Sequence, residues 1–271
     1  MKAYLTTAAG ERFLLPPLVE WEMSYGCGTP CDSFQVRCVW TCREDDVLAQ
    51  AVWFTAQFQG ETVFTGVVDE CLVEWSAAGS ALTVSGRGMA ALLLDNEAEG
   101  MDYEVATAAD ILRDHVTPYG IRVARQQALP GVERFSVASG SSEWAVLYQF
   151  ARYHGGVTPR FDREGRLILA NWEDGTALEI GDRTPVVRLA ARDRRYGVLS
   201  EVWVRDRTRQ AVEIVENSTF KAAGGQCRRI YTMPGKSHYQ AMRYQGAYQL
   251  DRSSAGLLRL EAELALPLCA W

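Results

Sequence analysis

The sequence predicts a mainly β fold with an α+β insert, in which two small β-barrel-like domains flank a helical α+β domain. Apolar and polar residues alternate over much of 2–95, and this spacing of two is typical of half-buried strands. Two later segments instead repeat their apolar residues every three or four positions, as amphipathic helices do. Strand-like runs then return. We expect an N-terminal β-barrel domain at 1–95, an α+β domain at 96–171, and a second β-barrel-like domain at 172–271 that is short of a complete barrel.

The first domain is predicted from short strands joined by turn-forming residues. The tripeptide Gly-Glu-Thr at 60–62 predicts a tight hairpin, because glycine tolerates the backbone angles that such turns need. Phe34, Val36, Cys38 and Trp40 alternate on one face, so we expect this face to be apolar and buried. The predicted strands are FQVRCVW (34–40), QAVWFTAQFQG (50–60), ETVFTGVVDECLVEW (61–75) and SALTVSGRG (80–88). We also assign the aromatic residues of this region to the core: Trp21, Trp40, Trp53, Phe54, Phe58, Phe64 and Trp75.

The α+β domain is predicted from helix start and stop signals. Thr107 is an N-cap candidate for a helix in TAADILRDHVTPYGI (107–121), which ends before a proline and a glycine. A second helix is predicted in SSEWAVLYQFARYHGG (141–156), with Ser141 as its N-cap and a glycine pair at its end. The remaining elements are a short helical or turn segment (89–98), an extended piece (134–140) and a hairpin with Arg-Glu-Gly as its turn (158–171).

The last hundred residues are predicted to be strands with one helix. Two strands lie in VVRLAARDRRYGVLSEVWVRDR (186–207), a third lies in QAVEIVENS (210–218), and a helix runs from Gln240 to about Ser253. The segment LLRLEAELAL then alternates as a strand, with one face formed by Leu258, Leu260, Ala262, Leu264 and Leu266.

Arginines are concentrated near two of these predicted strands. They are interleaved with Asp193 and Asp206, and mixed charge of this kind is commoner on solvated or inter-subunit strand edges than in a polyanion groove. We favour the strand-edge interpretation for Arg192, Arg194, Arg195, Arg205, Arg207 and Arg209.

Charge and hydropathy exclude several classes of partner. The chain has 28 Lys+Arg against 34 Asp+Glu, a net charge of −6, which argues against a nucleic-acid-binding footprint. No apolar run approaches the roughly 18 residues of a membrane helix. The first 21 residues lack an unbroken apolar stretch, so we expect no cleaved signal peptide. We expect neither a nucleic-acid partner nor membrane insertion by this chain.

Four of the seven cysteines fall in one short stretch, at Cys27, Cys31, Cys38 and Cys42. Their spacing differs from the close pairs of structural zinc sites, and Cys38 lies in a predicted strand that would spread the thiols along a sheet. We therefore weigh zinc and a Cys27–Cys31 disulfide below free thiols, and we expect no metal.

Motifs for chemistry are scarce. The three histidines, His115, His154 and His238, lie in none of the common metal or catalytic motifs, and SGRGM (85–89) lacks the spacing of a dinucleotide-binding loop. A Ser-rich segment, SGSSEW (139–144), is more typical of a helix cap than of a nucleophile. We expect no catalytic residues, no cofactor-binding residues and no cofactors.

Several stretches resemble the phage tail baseplate hub protein family. TPCDSFQV (29–36) resembles the entry to an early strand of that family. VSGRGMAALLLDNEAEG (84–100) resembles the stretch in which a strand runs into Gly-Arg and a short Leu-Leu-Asp segment. The helix in 107–121 and the later Ser-Trp-capped helix and Asp-x-x-Gly hairpin also resemble the family. The similarity covers about residues 25–170 well and 171–271 loosely, and is best to hubs of contractile-tailed phages and of prophage or tailocin-like particles of Gram-positive bacteria. Late control D proteins are more distant.

The resemblance implies a structural protein rather than an enzyme. Three copies would form a ring whose six barrels mimic a hexamer and join the sixfold tail tube to a threefold spike. The implied partners are further copies of this chain (a homotrimer), tail tube proteins and spike or other baseplate proteins. The implied location is a virion tail baseplate or phage-tail-like particle, after synthesis in the bacterial cytoplasm. Family members usually continue their second barrel further, so here a neighbour completes it or the chain is a shortened variant.

Two other classes of function stay open at this point. A cell-wall hydrolase of the tail would need paired carboxylates or a metal, and the nearest acidic set is Asp102, Glu104, Asp110 and Asp114, which solvation of a helix also explains. A carbohydrate-binding module would need exposed aromatic rings, and Tyr239, Tyr244 and Tyr248 are spaced around more than one face of their helix.

Overall fold

The computed structural model describes residues 1–26, 30–41, 45–77, 79–171, 186–206, 212–233 and 239–264. The chain divides into two compact units. The first unit comprises Met1–Ala151 and Thr158–Ala170, and the second comprises Arg152–Val157 and Asn171–Trp271. The mainly β composition with some helices that the sequence predicts is confirmed.

A seven-stranded antiparallel sheet forms most of the N-terminal region. Its strand order is β2-β1-β5-β6-β7-β4-β3, so β2 and β3 are its edges, and no ladder among the described residues joins them into a closed barrel. A helix, α1 (Asp45–Gln50), directly precedes β5 in the chain. The strands are β1 (Lys2–Thr7), β2 (Arg12–Leu14), β3 (Leu18–Ser24), β4 (Ser33–Val39), β5 (Ala51–Phe58), β6 (Glu61–Ser76) and β7 (Gly79–Gly88).

The core of this sheet follows the predicted alternation. Phe34, Val36 and Cys38 are buried while their neighbours in β4 are exposed. The ring of Phe34 stacks on that of Phe54, with 3.8 Å between ring centroids. The aromatic assignments to the core hold in full for Trp40, Phe54 and Phe64 and in part for Trp21, Trp53 and Phe58.

Trp75 was expected in the core, and this prediction is wrong. It stands opposite Ser80, one pair from the end of the β6–β7 ladder, where the strands extend beyond the apolar interior, and it is 74% exposed. The alternation of apolar residues predicts which face of β6 Trp75 occupies, but it does not show at which residue of the strand the buried core ends.

The predicted hairpin between β5 and β6 is present, but Gln59 and Gly60 form its turn and not the tripeptide at 60–62, because Glu61 already pairs with Phe58. Gln59 (φ 53°) and Gly60 (φ 93°) both take left-handed backbone angles, as the two central residues of a type I′ turn require. The glycine supplies this conformation without steric cost. The turn places β5 and β6 in one antiparallel ladder from Phe58↔Glu61 to Trp53↔Val67.

The segment after β7 packs a second apolar core within the same unit. Two small sheets, β8–β10 and β11–β12–β9, surround it together with three helices. The elements are α2 (Ala91–Leu94), β8 (Met101–Ala106), α3 (Ala108–His115), a 3₁₀ turn (Thr117–Tyr119), β9 (Val123–Gln126), β10 (Val132–Val137), α4 (Glu143–Tyr148), a π-helical turn (Gln149–His154) whose last three residues belong to the second unit, β11 (Arg160–Phe161) and β12 (Leu167–Leu169).

Helix caps explain where α3 and α4 begin. Thr107 and Asp110 form a reciprocal capping box, which confirms the predicted start of α3. The cap of α4 is Ser142, whose hydroxyl accepts a hydrogen bond from the Ala145 amide, so the assignment to Ser141 is wrong by one residue. The carbonyl of Ser141 instead accepts a hydrogen bond from the Ala98 amide.

The second unit contains two small sheets and one long helix. β13 pairs with β17, and β14 lies between β15 and β16. The predicted long helix, the strand after it and the three predicted strands in 186–218 are present, whereas the strand before the helix, β16, and a short helix, α5, were not predicted. The elements are β13 (Val186–Asp193), β14 (Glu201–Asp206), β15 (Val212–Glu216), α5 (Ser218–Ala222), β16 (Arg228–Met233), α6 (Tyr239–Ser254) and β17 (Leu258–Leu264).

Candidate interaction surfaces

The first candidate for chemistry, His115, is part of a buried hydrogen-bond network. Its Nδ1 lies 2.6 Å from Oε2 of Glu143, and its Nε2 lies 3.1 Å from the hydroxyl of Tyr103. Tyr119 donates to the other oxygen of Glu143 over 2.9 Å. His115 is 3% exposed and Glu143 6% exposed, so this network joins α3 to α4 inside the core. Glu143 lies within the helix predicted in 141–156, and no sequence spacing links it to a residue 28 positions earlier.

The acidic set that a hydrolase would need serves the fold. Asp102 accepts a hydrogen bond from the Ser136 hydroxyl, and Glu104 is exposed. Hydrogen bonds from Thr107 and then from Arg113 lower the pKa of Asp110. The guanidinium of Arg113 and the hydroxyl of Tyr103 likewise hold the pKa of Asp114 below its usual range. Asp102, Asp110 and Asp114 are thus hydrogen-bonded to neighbouring side chains, and the described residues contain no cluster of three or more such carboxylates.

The cysteines that the structure describes do not converge. Cys31 packs against the core of the α+β segment, whereas Cys38 is buried in the core of the seven-stranded sheet. Burial raises the pKa of the Cys31 thiol to about 11, so this thiol is protonated at neutral pH. Cys27 and Cys42 lie outside the described residues. Among the residues that are described, no group of three or more His, Cys, Asp or Glu side chains could hold a metal ion.

The remaining candidates from the sequence occupy structural positions. The glycines of SGRGM (85–89) lie in β7, where a side chain at Gly86 would collide with the ring of Phe34 and the carbonyl oxygen of Val67. His154 ends the π-helical turn. The last histidine, His238, lies outside the described residues.

The three tyrosines of α6 form no common platform. Tyr239 is exposed, whereas Tyr248 lies under the guanidinium of Arg152 at 4.4 Å from its ring centroid. The ring of Tyr244 is half-buried and contacts the position where a side chain at Gly156 would stand.

The Gly-Arg and Leu-Leu-Asp motif has a physical role in this chain. Arg87 makes a two-pronged ion pair with Asp69 of β6 and a second one with Asp95, the residue that follows α2. The arginine therefore fastens the end of β7 to both the neighbouring strand and the next helix. The hydrogen bonds to the carboxylates of Asp69 and Asp95 raise the pKa of the Arg87 guanidinium.

A two-stranded ribbon in the second unit has one apolar and one charged face. Residues directly opposite each other in an antiparallel ladder share a face, and Leu189 stands opposite Ala262, as Ala191 does opposite Leu260. Leu189 is 61% exposed and Leu260 65% exposed. The other face carries charged pairs such as Arg188↔Glu263. We call the apolar surface the ribbon face: Leu189, Ala191, Leu258, Leu260 and Ala262.

The three-stranded sheet of the same unit also leaves an apolar face uncovered. Its other face packs on α6, where a side chain at Gly246 would collide with Val215. On the open face, Trp203 of β14 stands between Ile214 of β15 and Ile230 of β16, and both isoleucines are exposed. We call this surface the sheet face: Trp203, Val212, Ile214 and Ile230. The sequence alone does not reveal this face, because its patterns do not predict β16.

Of the described residues of the arginine cluster, Arg192 and Arg205 lie in strands, and β14, which carries Arg205, is the central strand of its sheet and not an edge. Arg192 lies on the charged face of the ribbon, and Arg205 lies beside the apolar residues of the sheet face. Arg194 stands over the ring of Tyr196, and Arg195 is exposed. Of the interleaved aspartates, Asp206 is buried and Asp193 exposed, while Arg207 and Arg209 lie outside the described residues.

Solved structures show that this is the fold of a tail protein. The tail protein from Neisseria meningitidis MC58 is similar with a TM-score of 0.72 at 15% identity, over 97% of this chain and 80% of that one. The 43 kDa tail protein of prophage MuSo2 from Shewanella oneidensis gives 0.72 at 17% identity, over 98% and 83%. Prophage tail protein gp18 from Listeria monocytogenes EGD-e gives 0.58 at 10% identity, over 99% and 82%.

One family of known sequences matches part of this chain. Residues 90–171 match the family described as baseplate hub protein gp44-like, second domain. The resemblance to phage tail baseplate hub proteins that the sequence indicated is therefore confirmed by a match that covers residues 90–171. A comparison with curated protein sequences gives no significant match. Among the helices described, none is long and apolar enough to cross a membrane.

Proposed function

We propose that this protein is a structural component of a phage tail baseplate hub, in which three copies form a ring that joins the tail tube to the spike. The observation that carries the proposal is the family match of residues 90–171 to a baseplate hub domain. The similarity to tail proteins over nearly the whole chain supports the same role for the rest of it. The exposed ribbon and sheet faces supply surfaces on which such a part can assemble.

The domain organisation within this proposal has three parts. They are an N-terminal barrel-like domain at 1–95, an α+β domain at 96–171 and a second barrel-like domain at 172–271. The family match of 90–171 as a second domain supports the middle boundaries. The two small sheets of the second unit leave apolar faces open, which supports completion of the last barrel by a neighbouring copy.

The partners in this proposal are proteins throughout. They are further copies of this chain, the tail tube protein and the spike or other baseplate proteins, in a virion or a phage-tail-like particle assembled from parts made in the bacterial cytoplasm. The role requires no catalysis, no cofactor, no nucleic acid and no membrane insertion of this chain. His115, Glu143, Asp110 and Asp114 form hydrogen bonds and ion pairs within the fold, which supports a structural role without enzymatic activity.

Sedimentation and co-assembly test the proposal. The whole chain is expected to form trimers at micromolar concentration and to co-sediment with the tail tube and spike proteins encoded beside it. Electron microscopy of the mixture is expected to show rings capping tube ends. A matched mixture with an unrelated tail's tube protein is the control. A monomer that joins neither protein contradicts the proposal, and so does clearing of bacterial cell walls in a zymogram or specific binding on a glycan array.

A further inference from the structure

We infer that edge strand β3 of one copy pairs with edge strand β13 of the next copy, so that one sheet runs from the first barrel-like domain of one copy into the second barrel-like domain of its neighbour. The inference rests on the proposed ring. Each copy contributes one barrel-like domain of each kind to that ring, and when the two kinds alternate, every contact between copies joins a first domain to a second. The pairing names the strand that completes the short last barrel.

The two barrel-like domains carry opposite net charges. Residues 1–95 contain 5 Lys+Arg and 12 Asp+Glu, a net charge of −7. Residues 172–271 contain 15 Lys+Arg and 12 Asp+Glu, a net charge of +3. Surfaces of opposite sign attract each other and surfaces of like sign repel, so a contact between unlike domains is favoured over a contact between like ones.

The seven-stranded sheet of the first domain ends in an acidic edge. Among the described residues, β3 pairs with β4 on one side and with no strand on the other. Its Glu20 and Glu22 are exposed, whereas Trp21 between them packs against the core of the sheet. The opposite edge, β2, is only three residues long and carries Arg12. Because an open strand edge is a template for pairing, β3 is the edge of this domain that suits a strand bearing arginines.

The ribbon of the second domain needs a third strand. An isolated two-stranded antiparallel ribbon is marginally stable in water at best. Among the described residues, β13 pairs with β17 alone, and its Arg188 and Arg192 are exposed on the charged face of the ribbon. Arg192 stands directly opposite Arg259, and like charges in this relation destabilise a ladder. A carboxylate on the free side of β13 would offset this repulsion.

The other open edges of the second domain suit β3 less well. β16 is also basic, but its Arg228 already forms an ion pair with Glu201 and lies over the ring of Trp203. Its sheet has three strands and a packed helix, so it depends less on an added strand. β15 and β17 each carry more carboxylates than basic groups and would repel the acidic edge of β3. These comparisons leave β13 as the favoured partner.

The two strands match in length and in pattern. β3 has seven residues and β13 has eight. In β3, Trp21 alternates with Glu20 and Glu22, and in β13 Leu189 and Ala191 alternate with the two arginines. A pairing in either direction that sets the apolar side chains on one face therefore sets the carboxylates and guanidiniums together on the other. The ribbon face would then continue the apolar interior face of the neighbouring copy's sheet.

Charge reversal tests the pairing in the full-length protein by sedimentation velocity. Glu20→Arg together with Glu22→Arg is expected to weaken self-association about tenfold or more, because like charges then meet across the contact. Arg188→Glu together with Arg192→Glu is expected to weaken it to a similar extent. A protein that carries all four changes is expected to recover assembly, since the signs are exchanged and opposite charges meet again.

Matched controls reverse the same number of charges at other exposed positions of the same two domains. Glu11→Arg together with Glu61→Arg changes the first domain, and Arg195→Glu together with Arg252→Glu changes the second. Both controls are expected to assemble like the wild type, because neither pair lies on the two strands. Equal weakening by the controls would show that net charge alone acts, and would overturn the pairing.

Hydrogen exchange followed by mass spectrometry separates strand pairing from a contact of side chains alone. Backbone amides of β3 and β13 are expected to exchange more slowly when the wild-type copies are associated than when they are diluted to monomers, because amides on the two free edges then donate hydrogen bonds. Unchanged exchange in both strands of the assembled protein overturns the pairing.

The outcomes separate this inference from the proposed function. If the wild-type protein joins the tube and spike proteins and both pair variants assemble as well as it does, the strands named here are wrong and the hub function stands. A protein with all four changes that fails to recover also overturns the pairing and leaves the function. A wild-type protein that is monomeric and joins no tail component overturns both. Unchanged circular dichroism and thermal midpoints in the variants show that folding is intact.

Discussion

The imidazole of His115 and the carboxyl group of Glu143 are joined by a 2.6 Å hydrogen bond between helices α3 and α4, inside the core. Removing one partner of such a buried pair leaves the other without its partner in an apolar setting. We expect Glu143→Ala to lower the free energy of unfolding by about 3 kcal/mol or more, measured by urea denaturation. Glu143→Gln keeps the shape of the side chain and is expected to cost less.

Glu133→Ala is the control for this prediction, because Glu133 is an exposed residue of β10. It is expected to change the free energy of unfolding by less than about 0.5 kcal/mol. Equal losses at positions 133 and 143 would contradict a structural role for the buried network.

Acid is expected to weaken the fold through Asp114. Hydrogen bonding from Arg113 lowers the pKa of Asp114 below its ordinary value of 3.8. A carboxyl group whose pKa is lower in the folded state stabilises that state above the unfolded pKa, and the contribution disappears as pH falls through the folded pKa. Urea denaturation of wild type and Asp114→Asn is therefore expected to show a stability difference at pH 7 that shrinks below about pH 3.8.

Glu104→Gln serves as the comparison in the same pH series, since Glu104 is exposed on the strand before α3. A stability difference for Asp114→Asn that stays constant from pH 7 to pH 3 would show that the carboxylate is not what the neighbouring groups stabilise.

Gly86 is expected to tolerate no side chain. A methyl group there would collide with the Phe34 ring and with the carbonyl oxygen of Val67, and the Phe34 ring is itself stacked on Phe54. Gly86→Ala is expected to cost about 1–3 kcal/mol or more by overpacking. Gly88→Ala lies two residues on in the same strand, where the nearest atoms, those of Asp32, are 3.5 Å away, and it is expected to fold normally. Thermal midpoints of the two variants that coincide would refute this distinction.

Two tryptophans of the seven-stranded sheet are expected to differ sharply. Trp40 is fully buried, so Trp40→Ala is expected to cost about 3–5 kcal/mol of unfolding free energy. Trp75 is mostly exposed near the tip of the β6–β7 hairpin, and Trp75→Ala is expected to change stability by less than about 0.5 kcal/mol. Chemical denaturation followed by tyrosine fluorescence measures both. A large loss for Trp75→Ala would mean that its ring packs against the sheet in solution.

Local sequence patterns predicted the elements whose signals are local. The alternation through Phe34, Val36 and Cys38 and the presence of a hairpin near Gly60 were visible because each depends on residues within a few positions, although the turn lies one residue earlier than the predicted tripeptide at 60–62. The capping box of Thr107 and Asp110 is another such signal. The strand β16, which pairs in parallel with β14, was missed because its stability depends on a distant strand.

The exposed ribbon and sheet faces could not be predicted from the sequence, because they too depend on pairing between strands that are distant in the chain. The Leu258 and Leu260 alternation was recognised, but an apolar face reads the same in a sequence whether it meets its own core or another molecule. Only the register with β13 shows that both strands direct their apolar residues to one open side. The Glu143 contact to His115 likewise needed the packing of two helices that are 28 residues apart in the chain.

The chain leaves the first unit after Ala151, returns at Thr158 and leaves again after Ala170. The intervening residues Arg152–Val157 belong to the second unit, where Arg152 covers the ring of Tyr248. A chimaera in which residues 90–171 were exchanged as one block would therefore also exchange six residues of the second unit. Such a graft would keep the contact only if its donor supplied an arginine that still covers the tyrosine.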